Sequence, residues 1–125
     1  MKQILSNDII NQYMPTLVKC PLFNTLGEPE LRGYLNNAKV IIHSYKKNDF
    51  IALAGDPMEG IGVILEGSAL LTRENVMGQR VIMANLEQSD IFGEALLFSK
   101  QPLWPATIKA TKATKIMFIP LETFI

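Results

Sequence analysis

Apolar residues along this chain follow two different rhythms. In the first third they recur at helical spacing. Ile9, Ile10, Tyr13 and Met14 share one helix face, and Ser6, Asn7 and Asp8 ahead of them offer N-cap oxygens. Pro15 either kinks that helix or opens a second short turn, and Pro21 follows soon after. Pro29 predicts a further helix, with Leu31, Tyr34 and Leu35 on one side and Asn36-Asn37 at its end.

From Lys39 the rhythm changes to short apolar runs divided by turn residues. It predicts strands at Lys39–Tyr45, Phe50–Ala54, Ile61–Leu65, Ala69–Glu74, Arg80–Leu86, Ala106–Ala110 and Lys115–Ile119. Lys47-Asn48-Asp49, Gly55-Asp56-Pro57, Glu66-Gly67-Ser68 and Asn75–Gly78 punctuate them, with Gly55, Gly67 and Gly78 placed where tight turns demand positive φ. Pro120 then suits the start of another helix, with Leu121, Phe124 and Ile125 as its apolar face. The expectation is one domain: a helical lead-in over 1–37, strands over 38–119, and a helix begun at 120–125 but not completed. That is an α+β class, mainly β, built as an antiparallel sandwich or barrel.

Composition narrows the function classes. Twelve basic residues balance 12 acidic ones, which leaves no electrostatic footprint for nucleic acid or an anionic membrane. No apolar run reaches the length of a membrane span and no signal-peptide pattern opens the chain, so the expected setting is cytoplasmic. Cys20 and His43 are the single cysteine and the single histidine. One of each cannot supply a metal cluster or a clear nucleophile–base pair, so no enzyme is expected. Cys20 reads as a small buried hydrophobe, and His43, alternating with Ile41 and Tyr45, as a solvent-facing strand residue.

One segment does carry chemistry. Asp90-Ile91-Phe92-Gly93-Glu94-Ala95-Leu96-Leu97-Phe98, followed after six residues by Pro105-Ala106-Thr107-Ile108-Lys109-Ala110, reads as a strand, a glycine, one helical turn, a loop and a new strand. Such an arrangement gathers backbone N–H groups and the positive end of a short helix, which suits an anion. It resembles the phosphate-binding cassette of cyclic nucleotide-binding domains. Tyr45–Ile51, Ala54-Gly55-Asp56-Pro57, Ile61–Ser68 and Leu86 with Asp90–Glu94 resemble the same family in order. Cys20-Pro21-Leu22-Phe23 and the helix from Glu28 resemble the amino-terminal helices of bacterial Crp/Fnr transcription regulators.

The resemblance implies a jelly-roll-like β-roll, a double-stranded β-helix, with a short cassette helix. It also implies a ligand-sensing domain with a small-molecule effector held by Phe92, Gly93, Glu94, Ala95, Trp104, Pro105, Ala106 and Thr107. In the family the matching glutamate bonds the ribose hydroxyl, whereas a glutamate in a first helical turn is also favoured by the macrodipole alone. The family's arginine and small hydroxyl residue correspond to Trp104 and Pro105 here. Tryptophan and proline lack the charge and the donors that hold a cyclic phosphate, so cyclic AMP in its usual mode is disfavoured. Lys100 and Lys109 are the nearest replacements for the lost charge. Trp104 either stacks on a planar ligand or fills the pocket. The implied effector is a cyclic nucleotide or another small anionic or aromatic molecule. A degenerate pocket in a structural or interaction domain is the alternative. DNA is implied only for a longer regulator with a helix-turn-helix, and a homodimer through the apolar start of the last helix. An iron–sulfur sensor would need several cysteines and is excluded.

Overall fold

The computed structural model describes residues 2–4, 6–94, 99–100 and 102–120. Strand β1 (Lys2–Ile4) leads into α1 (Asn7–Leu17) and α2 (Glu28–Asn37). The strands β2 (Ile41–Tyr45), β3 (Phe50–Ala52), β4 (Gly60–Glu66), β5 (Ala69–Glu74) and β6 (Arg80–Leu86) follow. Strands β7 (Ile91–Phe92), β8 (Thr107–Ala110) and β9 (Thr114–Pro120) complete the order.

Helix α1 starts where its cap predicts: Ile9 N donates to Ser6 Oγ at 3.3 Å. Ile10, Tyr13, Met14 and Leu17 form its buried face. Pro15 does not end the helix: it lies exposed in its last turn and leaves Asn11 O without the usual N–H donor, yet Val18 N still reaches Met14 O at 3.0 Å. Pro29 sits in the first turn of α2, which buries Leu31 and Leu35.

The strands form two antiparallel sheets, ordered β1-β2-β9-β4-β7 and β3-β8-β5-β6. The first sheet is covered on both faces. Val63, Leu65, Met117 and Ile119 pack on the helices, while Ile64 and Ile116 alternate toward the second sheet with Phe92, Ala69 and Ile108. That double cover explains why β4 is buried at every position except Glu66.

The structure departs from expectation at three places. β1 lies inside the stretch read as a helical lead-in and pairs antiparallel with β2, Lys2 opposite His43. Pro120 does not open a helix but ends β9, opposite Gly60; residues 121–125, where the rest of that helix was expected, lie outside the described residues. His43 faces the second sheet rather than solvent. It is half-buried with its ring 5.7 Å from Phe118, edge to face, because it shares with Tyr45 and Phe118 the sheet face turned toward the second sheet.

Candidate functional site

The cassette approach is fixed by main-chain bonds. Ile64 N donates to Asp90 O at 3.0 Å and Ser89 N to Ile64 O at 2.9 Å, so the chain enters β7 already stitched to β4. Asp90 Oδ2 accepts from Glu87 N at 2.7 Å, closing the preceding turn. Ser89 Oγ donates to Thr16 O at 3.0 Å and ties this turn to the end of α1. Phe92 then lies opposite Gly62, whose missing side chain is necessary: a Cβ there would collide with the Phe92 ring.

Gly93 follows with φ +93, a conformation in which any other residue is strained. A Cβ at Gly93 would also stand 2.8 Å from Met58 Cε and 3.3 Å from the Trp104 indole. Glu94 is exposed beside it. Ala95 and the remainder of the expected cassette helix lie outside the described residues.

The second half of the cassette is anchored to the loop between β3 and β4. Trp104 N donates to Asp56 O, Gly55 N to Trp104 O and Met58 N to Pro102 O, each at 2.8 Å. These bonds hold the main chain at 102–104 against the loop, and the indole lies inward. Trp104 is 7% exposed and packs with Phe92, ring centroids 5.7 Å apart, in the same core cluster as Met58, Ile64 and Ile108. Of the two roles open to Trp104, its packing supports that of a core side chain, which still leaves part of the indole on a cavity wall.

That cavity, of about 290 Å³, lies between the second sheet and the cassette. Leu71, Ala84, Leu86 and Ile108 form the sheet side, and Ile91, Phe92, Gly93, Glu94, Trp104 and Pro105 the other. Five of the eight sequence-predicted site residues therefore meet on one wall. Ala106 is buried but is not part of the lining, and Thr107 points to the opposite face of the second sheet, where its Oγ1 accepts from Ala54 N at 3.2 Å. Strand alternation separates Thr107 from the inward-facing Ile108. Leu71, Ala84 and Leu86 were not singled out from sequence, although their alternation in β5 and β6 is the signal that marks an inner face.

Electrostatically the lining is bare. Glu94 is the one charged residue among the described residues of the wall, and no lysine, arginine or histidine joins it. Lys109 cannot compensate for the missing arginine: it lies on the outer face of β8, its Nζ 5.6 Å from the centre of the Phe50 ring. Lys100 is exposed and off the cavity. Among the described residues no three His, Cys, Asp or Glu side chains gather to hold a metal. Cys20 is fully buried and burial pushes its thiol up.

Residues 42–125 match the family described as Cyclic nucleotide-binding domain. The chain is 31% identical over 97 residues to the cAMP-activated global transcriptional regulator CRP of Pasteurella multocida, covering 78% of this chain and 46% of that one. It thus spans about half the length of the curated relative it matches. Among solved structures it resembles the sensor domain of the transcriptional regulator DNR from Pseudomonas aeruginosa, with TM-score 0.79 and 19% identity, covering 94% of this chain and 77% of that one. The N-terminal domain of a transcriptional regulator from Streptomyces coelicolor is similar at TM-score 0.72 and 26% identity, over 86% of this chain and 73% of that one.

Proposed function

The chain belongs to the cyclic nucleotide-binding domain family, and from that premise we propose that it is the effector-sensing domain of a Crp/Fnr-like transcription regulator whose effector is a small molecule with an apolar, planar body. The carrying observation is the cavity of about 290 Å³ at the cassette, walled by aliphatic and aromatic side chains and, among the described residues, by no cation. A charge-assisted contact to an anion is worth roughly 1.5–3 kcal/mol, and a cyclic phosphate entering this cavity forfeits it. An aromatic body loses nothing of the kind and gains burial against Phe92, Leu71 and Trp104.

Function in this reading is a population shift rather than chemistry. The effector stabilises whichever arrangement of the domain leaves the cavity filled, and it shifts the regulator only by its difference in affinity between two states. Binding DNA belongs to the longer regulator. No catalytic step is assigned to any side chain.

A second reading has one observation in its favour. Trp104 is packed tightly enough over Gly93 to count as filling, which fits an interaction domain with a degenerate pocket. Nuclear magnetic resonance of the full chain, titrated with indole and with cyclic nucleotides, separates the two. The sensor reading expects saturable shifts of the methyls of Leu71, Leu86 and Ile108 with the apolar probe. Silence from every probe leaves the interaction domain standing.

A further inference from the structure

Trp104 has a second neighbourhood. Away from the cassette it borders a groove of about 210 Å³ between the first sheet and the loop joining β3 to β4. His43, Tyr45 and Phe118 of the first sheet also line this groove, and Asp56 and Glu59 of the loop stand at its exposed edge. His43 and Tyr45 rings lie 6.1 Å apart, and His43 and Phe118 rings 5.7 Å apart. Among the described residues no lysine or arginine is part of the lining.

We propose that this groove binds an organic cation, a small alkylated ammonium group, enclosed by the rings of His43, Tyr45, Trp104 and Phe118 and balanced by the carboxylates of Asp56 and Glu59. Aromatic rings attract a cation through their negative faces, and an alkylated ammonium also gains from apolar contact, since its charge is spread and weakly hydrated. Two carboxylates supply the charge balance and reject anions. Of the two carboxylates Glu59 is already felt by the lining: burial, then Glu59, then Asp49 outside the groove push the Tyr45 hydroxyl up to about 12. Tyr45 therefore presents a neutral ring at ordinary pH. The backbone of this wall is also preset, because Asp56 O and Trp104 N are joined at 2.8 Å. The proposal does not rest on the effector reading, for it uses another cavity and a charged ligand; Trp104 alone lines both cavities.

The chain has one histidine and one tryptophan, and both line the groove, so their ring resonances are unambiguous reporters. The test titrates the full chain at low salt with tetramethylammonium and, in parallel, with neopentyl alcohol, a neutral molecule of similar shape. The expected result is saturable movement of the His43 and Trp104 ring signals by tetramethylammonium, at least tenfold tighter than by the alcohol. The exposed pair Asp56→Asn with Glu59→Gln should weaken the cation roughly tenfold and leave the melting temperature unchanged. Equal binding of the alcohol would reduce the groove to an apolar cleft and overturn the proposal. So would undiminished cation binding by the double variant, or no saturable response in the native chain.

Discussion

The two halves of the cassette are built alike in backbone and unlike in side chains. Residues 89–92 are stitched to β4 by main-chain bonds, and 102–104 is stitched to 55–58 by main-chain bonds of the same kind. In the first half the side chains leave room beside Gly93; in the second, Trp104 moves into that room and joins the core. Main-chain hydrogen bonds tolerate almost any side chain, so the frame persists while the residue on the cavity wall changes its chemistry. The ligand preference proposed above rests on that side chain. A family's fold and a family's ligand are thus carried by different atoms of the same segment.

The sharpest way to break this comparison is to remove the indole. Trp104→Ala should cost about 3–5 kcal/mol in urea unfolding, as for a large buried aromatic, whereas Leu103→Ala next to it, 44% exposed, should stay within about 0.5 kcal/mol. Equal small losses would mean that Trp104 is not core. Gly93→Ala comes next. Its φ of +93 and the approach of Met58 predict a loss of about 1–2 kcal/mol by thermal or chemical unfolding, and a neutral outcome would remove the backbone argument for the first half.

A smaller effect concerns pH. Tyr45 holds its proton in the folded chain to about 12, above its ordinary 10.0, so the unfolded chain releases that proton first as pH rises. The associated stability is fully present below pH 10.0 and is lost on the way to about 12. Tyr45→Phe should flatten part of that decline in a series of alkaline melts; an unchanged slope would assign the decline to other groups. The smallest effect is at Glu94. Its exposed carboxylate makes Glu94→Gln neutral for stability within about 0.5 kcal/mol, and any change should appear only in effector binding.

Much of the frame was legible because its signals are local. The Ser6 cap, the four-residue rhythm of Ile10 and Met14, and Gly55, Gly67 and Gly78, all with positive φ, each act within a few residues. What stayed hidden depends on long-range cover. β4 and β6 are both seven residues long, yet β4 is enclosed between β9, β7 and the helices while β6 leaves Val81, Ile82 and Met83 exposed at a sheet edge. Sheet position decides that, and no single strand encodes it. The same cause turned His43 inward, since alternation gives two faces without saying which is covered. It also hid Leu71, Ala84 and Leu86 as cavity wall. Lys2–Ile4 is too short for a period of two to show, and only its partner β2 makes it a strand. The site was half legible for a chemical reason: Gly93 and Glu94 lie together on the cavity wall as neighbours in sequence, but the direction of the indole shows only in its packing with Phe92 and the second-sheet core, which are distant in sequence.

Calorimetric titration of the full chain with cyclic AMP, beside the variant Trp104→Arg with Pro105→Ser, tests the exchange of ligand chemistry most directly. The native chain should give no saturable heat, and the variant, which restores a charge and a hydroxyl donor on an unchanged frame, should bind. Micromolar binding of cyclic AMP by the native chain would contradict the account, because the cavity would then hold a cyclic phosphate without the side chains argued to be essential for it.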